Sequence, residues 1–303
     1  MNKFLVIIVA AIVLFFVGLY VFIPSTIVVS KAIVIPGKRE AIYRVLADSN
    51  YWIKENTAAN DGVQVSFADR TYTGVTTKFT ANNNVLDSCF LDIFALNADS
   101  VILSWEGRMP SPINPVARLQ QYRFAKAVKR SMDVNLAKFQ TTLTAIERLY
   151  GMAIQPARVI DSLLIFKLDS TNGYPQTDII YKMVDQLKAY ALKQKANITN
   201  PPMLNISTKD SLTYYLKVAL PVDRRLSGGE GVEHRWMLGG GNILFTEVKG
   251  GTNKIANAFE AIAKYASDFS RVAPAIPYQQ LVTDRRQVTD SSKWITRVYF
   301  PVM

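Results

Sequence analysis

Two phrases late in the chain place charged and aromatic residues at matching positions. The stretch KDSLTYYLKVALPV (209–222) returns at 289–302 as TDSSKWITRVYFPV, and the two align without a gap at an offset of 80 residues. Alternate residues of a β-strand point to the same side, so Arg297 and Tyr299 share one face, and Lys217 takes the place of Arg297 in the first copy. A cation beside an aromatic ring suits a ligand that joins an anionic or strongly polar group to an apolar body.

Two more residues complete the predicted site. Glu247 is the remaining acid near the cleft strands, and Trp294 lies near the start of the strand predicted at 293–300. We predict that the ligand-binding residues are Arg297, Tyr299, Lys217, Glu247 and Trp294. Two alternatives stay open for the cations: Lys217 and Arg297 point into solvent, or Arg297 pairs with Glu247. The aromatic residues also suit a core position.

Residues for catalysis or metal binding are scarce. Cys89 is the single cysteine and His234 the single histidine, which excludes an internal disulfide, a cysteine zinc cluster and a multi-histidine metal site. The glycine pair at 228–229 and the three glycines at 239–241 do not form a nucleotide-binding motif. We therefore predict no catalytic residue, no metal and no cofactor, with Cys89 in the core and His234 exposed.

The formal net charge of +11 is compatible with nucleic acid, an anionic membrane surface or a solvated basic face. A helix-turn-helix signature and a basic helix are both missing from the sequence, so no nucleic acid partner is expected. The sequence does not identify a protein partner.

The segment FLVIIVAAIVLFFVGLYVFI (residues 4–23) carries no charge. At about 1.5 Å per residue it would span about 30 Å, the thickness of a bilayer's hydrocarbon core. We predict an uncleaved transmembrane anchor over residues 1–25, with a cleaved signal peptide as the alternative. The expected location is a bacterial inner membrane, single-pass, with the remaining domains outside the cytoplasm, although the flanking basic residues leave the orientation open.

Residues 26–150 are expected to form the first α+β domain. A strand, a short helix and a run of β-like segments precede a long helix predicted over 115–149 from its apolar spacing. The opening STIVVSKAIVIPGKREAIYRVLADSNYWIKE resembles the START-like, or SRPBCC, superfamily. That resemblance implies a helix-grip fold, in which a sheet wraps a helix and an apolar ligand lies between them.

Residues 151–303 are expected to be a tandem duplication of one strand–helix–strand–strand unit, with copies at about 152–222 and 232–302. Strands are predicted at 162–168, 202–207 and 212–220 and helix at 176–194, and the second copy repeats this order at 243–248, 253–269, 278–283 and 293–300. In the first strand of each copy, Leu163-Leu164 aligns in sequence with Ile243-Leu244 at the same offset of 80. Two such units are expected to pack as a closed pair with a cleft.

The duplication, the turn FTEVKGG (245–251), the connection YQQLVTDRRQVTDSSKW and the closing TRVYFPV resemble the GyrI-like family of effector-binding domains. The resemblance implies small-molecule binding and, in some members, hydrolysis. In those relatives the last strand places a carboxylate and an aromatic residue in the cleft. Here Arg297 stands at the carboxylate position and Tyr299 matches the aromatic residue.

These observations predict a membrane-tethered, non-enzymatic protein that binds a small apolar or amphipathic ligand, with an anionic ligand among the options. Two alternatives remain: a hydrolase acting in the cleft of the duplicated domain, and a structural or regulatory partner of an envelope complex.

Overall fold

The computed structural model describes residues 3–54, 62–82, 84–208, 210 and 212–303. The chain divides into two compact units, Met1–Leu149 and Tyr150–Met303. Both combine helices with a β-sheet, one five-stranded and one eight-stranded, so the α+β class is confirmed.

The N-terminal helix, α1 (Lys3–Phe22), does not support the predicted membrane anchor. Among the residues that the structure describes, no helix has both the length and the apolarity needed to cross a bilayer. The transmembrane helix predicted at residues 4–23 and the single-pass inner-membrane location are therefore wrong.

The end of α1 is bound by the long helix of the first unit. The buried guanidinium of Arg118 donates from Nε to the carbonyl oxygen of Ile23 at 3.1 Å. It also lies 4.7 Å from the centre of the Tyr20 ring, while the Tyr20 hydroxyl donates to the carbonyl of Ile113. These contacts join the last turn of α1 to the first unit's core.

The first unit is an antiparallel sheet packed against one long helix. Its strands follow the order β1-β5-β4-β3-β2. The long helix begins at a capped end, since Asn114 Oδ1 accepts from the Val116 amide at 2.9 Å and Pro115 occupies the first turn. The elements after α1 are β1 (Thr26–Pro36), α2 (Arg39–Leu46), α3 (Ser49–Lys54), β2 (Gln64–Arg70), β3 (Gly74–Ala81), β4 (Asn84–Asn97), β5 (Ser100–Pro110), α4 (Pro115–Thr142) and α5 (Ile146–Tyr150).

Aromatic side chains fill the space between the first unit's sheet and α4. The Trp105 ring stacks on Phe139 at 6.0 Å and contacts Phe79 at 5.2 Å, and Trp52 meets Phe139 at 5.5 Å. The Trp105 indole is satisfied by Thr77 Oγ1 at 2.9 Å. All of these side chains are buried, so a packed core occupies the place where the START-like resemblance implies a ligand.

The second unit contains a single eight-stranded sheet in the order β10-β7-β9-β8-β12-β13-β11-β6. Its elements are β6 (Gln155–Arg158), β7 (Leu163–Asn172), α6 (Thr177–Lys193), β8 (Met203–Thr208), β9 (Thr213–Pro221), β10 (Glu233–Trp236), β11 (Asn242–Lys249), α7 (Thr252–Asp268), β12 (Tyr278–Leu281), a 3₁₀ turn (Ser291–Lys293) and β13 (Ile295–Pro301).

The central six strands of this sheet have an internal twofold arrangement. The order β7-β9-β8 is mirrored by β11-β13-β12, and the two halves meet where β8 and β12 pair antiparallel. In each half a helix connects two parallel strands that flank a third, a crossover that is almost always right-handed. Two right-handed crossovers related in this way place α6 and α7 on the same face.

The cross-strand register separates the two faces of this sheet. A buried row consisting of Val218, Leu204, Gln279 and Val298 crosses β9, β8, β12 and β13. Val218 and Leu204 belong to the core that packs against α6. We call the opposite side of the sheet the open face; its residues include Phe166, Lys217, Ala219, Met203, Tyr278, Arg297 and Tyr299.

The first strands of the two copies are offset differently from the rest. Leu164 pairs with Pro221, and Ile243 pairs with the equivalent Pro301. Leu164 therefore corresponds to Ile243, an offset of 79, and the predicted pairing of Leu164 with Leu244 is wrong by one residue. A slip of one residue exchanges the faces of a strand, so it changes which side chains oppose the two candidate cations.

Candidate functional site

A cavity of about 630 Å³ lies on the open face; most of its floor belongs to the first copy of the repeat, and residues of both copies line it. Its floor includes Leu164, Met203, Lys217, Ala219 and Tyr278, which belong to four strands of the sheet. Its walls come from β10 and the chain that follows it, from the segment after α7 and from the end of the chain, and include Trp236, Met237, Leu238, Pro274, Ile276 and Val302.

The cavity exists over the first copy because that copy has smaller side chains. Ala219 and Met203 are directly opposite each other, and the second copy has Tyr299 and Tyr278 in this arrangement. The two tyrosine rings stack at 5.1 Å, and Tyr299 also stacks on Phe245 at 5.7 Å. Aromatic rings thus cover the second copy where the first copy has open volume.

Lys217 lines the cavity and is partly withdrawn from water. Its Nζ lies 4.1 Å from the centre of the Phe166 ring, a cation–π contact. Burial lowers the pKa of Lys217, and the positive charge of Arg235 lowers it further, against an opposing effect of Glu233.

Arg297, the equivalent cation of the second copy, is paired with an acid. Its Nε donates to Glu247 Oε2 at 3.0 Å, with side chains that are 43% and 51% exposed. This bond raises the pKa of Arg297. The arrangement matches the alternative in which Arg297 and Glu247 pair, and neither residue lines the cavity.

The other two predicted site residues lie apart from the cavity lining. Trp294 packs against the buried Arg285, whose guanidinium carbon lies 4.8 Å from the centre of the Trp294 ring. The indole nitrogen of Trp294 donates to the Val288 carbonyl at 2.7 Å. Tyr299 is half-buried and covers one flank of Tyr278, which does line the cavity; burial raises the pKa of both tyrosines. The structure therefore places Lys217 at the cavity and Tyr299 beside it.

Two arginines join Lys217 in the lining. Arg235 extends from β10, opposite Leu164, and Arg158 donates from Nη1 to the Gly240 carbonyl at 3.1 Å. Among the residues that the structure describes, no aspartate or glutamate belongs to the lining. Sequence reasoning missed both arginines because they come from β6 and β10, strands of four residues that lack an apolar alternation.

A second cavity of about 570 Å³ adjoins the first and shares Leu164, Arg235 and Trp236 with it. Arg224, Arg225 and His234 contribute further nitrogen groups to its lining. Arg224 is engaged by Asp223 at 3.0 Å. His234 is exposed on β10, in the position expected from its polar surroundings.

No family model matches the sequence, and no curated protein sequence matches it. Several solved structures are similar to about half of the chain. The C-terminal domain of EcmrR aligns at 12% identity, covering 50% of this chain and 98% of its own, with a TM-score of 0.43. A hydrolase from Listeria innocua aligns at 11% identity over 49% of this chain and 92% of its own, with a TM-score of 0.37.

The structure of SAV2435 bound to tetraphenylphosphonium aligns at 16% identity over 50% of this chain and 94% of its own, with a TM-score of 0.33.

Proposed function

We propose that the second unit is a ligand-binding module that holds a small amphipathic molecule in the open-face cavity. The cavity volume of about 630 Å³ falls within the roughly 300–1,000 Å³ typical of small-molecule sites. Its lining is mainly apolar, with a few charged groups. The resemblance of this unit to the GyrI-like family supports the proposal, since that resemblance implies small-molecule binding.

The observation that carries the proposal is the difference between the two copies. A duplicated sheet that served only as a scaffold could fill both halves in the same way, yet Ala219 and Met203 leave volume where Tyr299 and Tyr278 occupy it. Natural interiors are close-packed, so a cavity of this size on an otherwise well-packed sheet points to an occupant.

The first unit is not the proposed binding unit. Phe79, Trp105 and Phe139 pack between its sheet and its long helix, where the START-like resemblance implies a ligand. Glu247 is paired with Arg297, and we assign it no catalytic role.

The test is to give the first copy the side chain of the second. Ala219→Tyr should fill the cavity and stack on Phe166 as Tyr299 stacks on Phe245. We expect the neutral fluorescent probe N-phenyl-1-naphthylamine to bind the unmodified chain and to bind Ala219→Tyr at least about tenfold more weakly. The smaller Ala219→Leu should give an intermediate loss.

The matched control is Ser170→Tyr, which adds the same side chain to an exposed position of β7 outside the cavity lining. It should leave probe affinity unchanged. Full probe affinity in Ala219→Tyr or Ala219→Leu, with thermal unfolding like that of the unmodified chain, would contradict the proposed site.

A further inference from the structure

We propose that the open-face cavity selects ligands with an oxyanion head group, a carboxylate, sulfonate or phosphate, and that Lys217 and Arg235 bind this group. The inference rests on the proposed function and adds the chemical class of the ligand.

The internal repeat supplies the first argument, because it offers a matched pair of cations. Lys217 and Arg297 occupy equivalent positions on β9 and β13. Directly opposite Arg297 on β11 is Glu247, and the two form an ion pair. Directly opposite Lys217 on β7 is Leu168. In the second copy, the charge of Arg297 is therefore neutralised by Glu247. In the first copy, the residue opposite Lys217 is apolar.

The second argument is electrostatic. Lys217, Arg235 and Arg158 line one cavity, and its described lining residues include no aspartate or glutamate side chain. Arg235 and burial both disfavour the charged form of Lys217, and Glu233 offsets this in part. Converging like charges cost free energy in the empty protein, and an anion bound among them would remove that cost.

The third argument concerns the shape of the ligand. Lys217 projects beside the Phe166 ring, and the remaining floor and wall are apolar at Met203, Tyr278 and Met237. A head group at the cations would leave an apolar body against these side chains. An oxyanion accepts hydrogen bonds from ammonium and guanidinium groups, which are stronger than bonds between neutral groups.

The experiment compares two probes that share one ring system. N-phenyl-1-naphthylamine is neutral, and 8-anilino-1-naphthalenesulfonate has the same rings with a sulfonate. We expect the sulfonate probe to bind the full chain about tenfold or more tightly than the neutral probe, a preference that should shrink as salt is added. Lys217→Met should reduce the preference for the sulfonate probe over the neutral probe by about tenfold.

Two further variants separate a head-group contact from a general effect of charge. Arg297→Met removes one positive charge from the equivalent position of the other copy and should leave both affinities unchanged. Lys217→Arg should retain the sulfonate preference.

Equal binding of the two probes by the unmodified chain would overturn the inference while leaving the proposed function intact. Equal losses in Lys217→Met and Arg297→Met would also overturn it. Failure of both probes to bind would overturn the inference and the proposed function together.

Discussion

Lys217 and Arg297 show how one position of a duplicated strand can acquire two roles. Both are cations on the open face of the same sheet. Arg297 gains an acidic partner at 3.0 Å, as expected of a half-exposed surface pair. Lys217 instead rests against the Phe166 ring, with a second cation close enough to lower its pKa. The pair of Arg297 with Glu247 is a surface ion pair. Lys217 beside Phe166 is the arrangement to which we propose that an anionic head group binds.

This difference predicts opposite effects of substitution on stability. A lysine pKa that is lower in the folded than in the unfolded state means that folding disfavours the charged form, so the charge costs stability at neutral pH and the cost fades as pH rises through the folded-state pKa. Without ligand, Lys217→Met should therefore unfold at the same temperature as the unmodified chain or a higher one. Arg297→Met leaves Glu247 unpaired and should unfold at the same temperature or a lower one.

Thermal unfolding at pH 7, followed by circular dichroism, checks both variants. A clear loss of stability in Lys217→Met would mean that Lys217 is a structural residue, and the electrostatic part of the account would fail.

Trp294 illustrates a residue whose role could not be predicted from sequence. Its indole stacks on Arg285, a buried arginine that donates from Nη2 to Gln279 Oε1 at 2.9 Å and to Thr296 Oγ1 at 3.2 Å. Burial lowers the pKa of Arg285. The aromatic content near the end of the chain suited a binding site, but only the fold shows that this ring serves a buried cation on the helix-covered face.

At the scale of elements, one glycine is required by the pairing of two strands. A Cβ added to Gly74, at the start of β3, would lie 1.9 Å from the Leu91 carbonyl oxygen on β4. A backbone atom cannot move aside without breaking the ladder. We expect Gly74→Ala to lower the free energy of unfolding by about 2 kcal/mol or more.

The matched control is Gly239→Ala, whose Cβ would meet Ser162 Cβ at an ordinary contact distance of 3.7 Å. It should change stability by less than about 0.5 kcal/mol. Chemical denaturation measures both variants, and similar stabilities for the two would show that the β3–β4 register is incorrect.

Helices and long strands were predictable because their apolar periodicity is strong. The helices expected at 176–194 and 253–269 appear as α6 (Thr177–Lys193) and α7 (Thr252–Asp268). The long helix expected at 115–149 ends earlier, at Thr142, and a separate helix begins at Ile146. The hydroxyls of Thr142 and Thr144 donate to backbone carbonyls four residues earlier in the chain. These bonds compete with the backbone hydrogen bonds that would continue the helix.

The register between strands was not predictable from the repeated phrase alone. The apolar run at 163–166 can be aligned with 243–245 at an offset of 79 or 80, since both alignments match apolar residues. Only the pairing of Leu164 with Pro221 and of Ile243 with Pro301 decides between them. The decision matters because it places Leu168 opposite Lys217 and Glu247 opposite Arg297.

At the scale of the whole molecule, the two units differ in how side chains fill the space beside their sheets. The first unit closes its core with buried aromatic rings and the buried thiol of Cys89, whose pKa burial raises to about 12. The second unit contains two copies of one folding motif that differ on the open face. Stacked tyrosines cover this face in the second copy, and smaller side chains of the first copy form most of the cavity floor. The duplication was visible in the sequence, whereas this asymmetry depends on which residues face each other across strands.

The central claim is that a ligand occupies the open face of the first copy. Methionine methyl groups report on this directly, since Met203 and Met237 line the cavity, while Met183 of α6 lies in the core beneath that helix and Met132 in the core of the first unit. The measurement is a methyl NMR titration of the full chain with N-phenyl-1-naphthylamine. The account predicts shifts at Met203 and Met237 with Met183 and Met132 unchanged; shifts confined to Met132 or Met183, or an unchanged Met203, would contradict it.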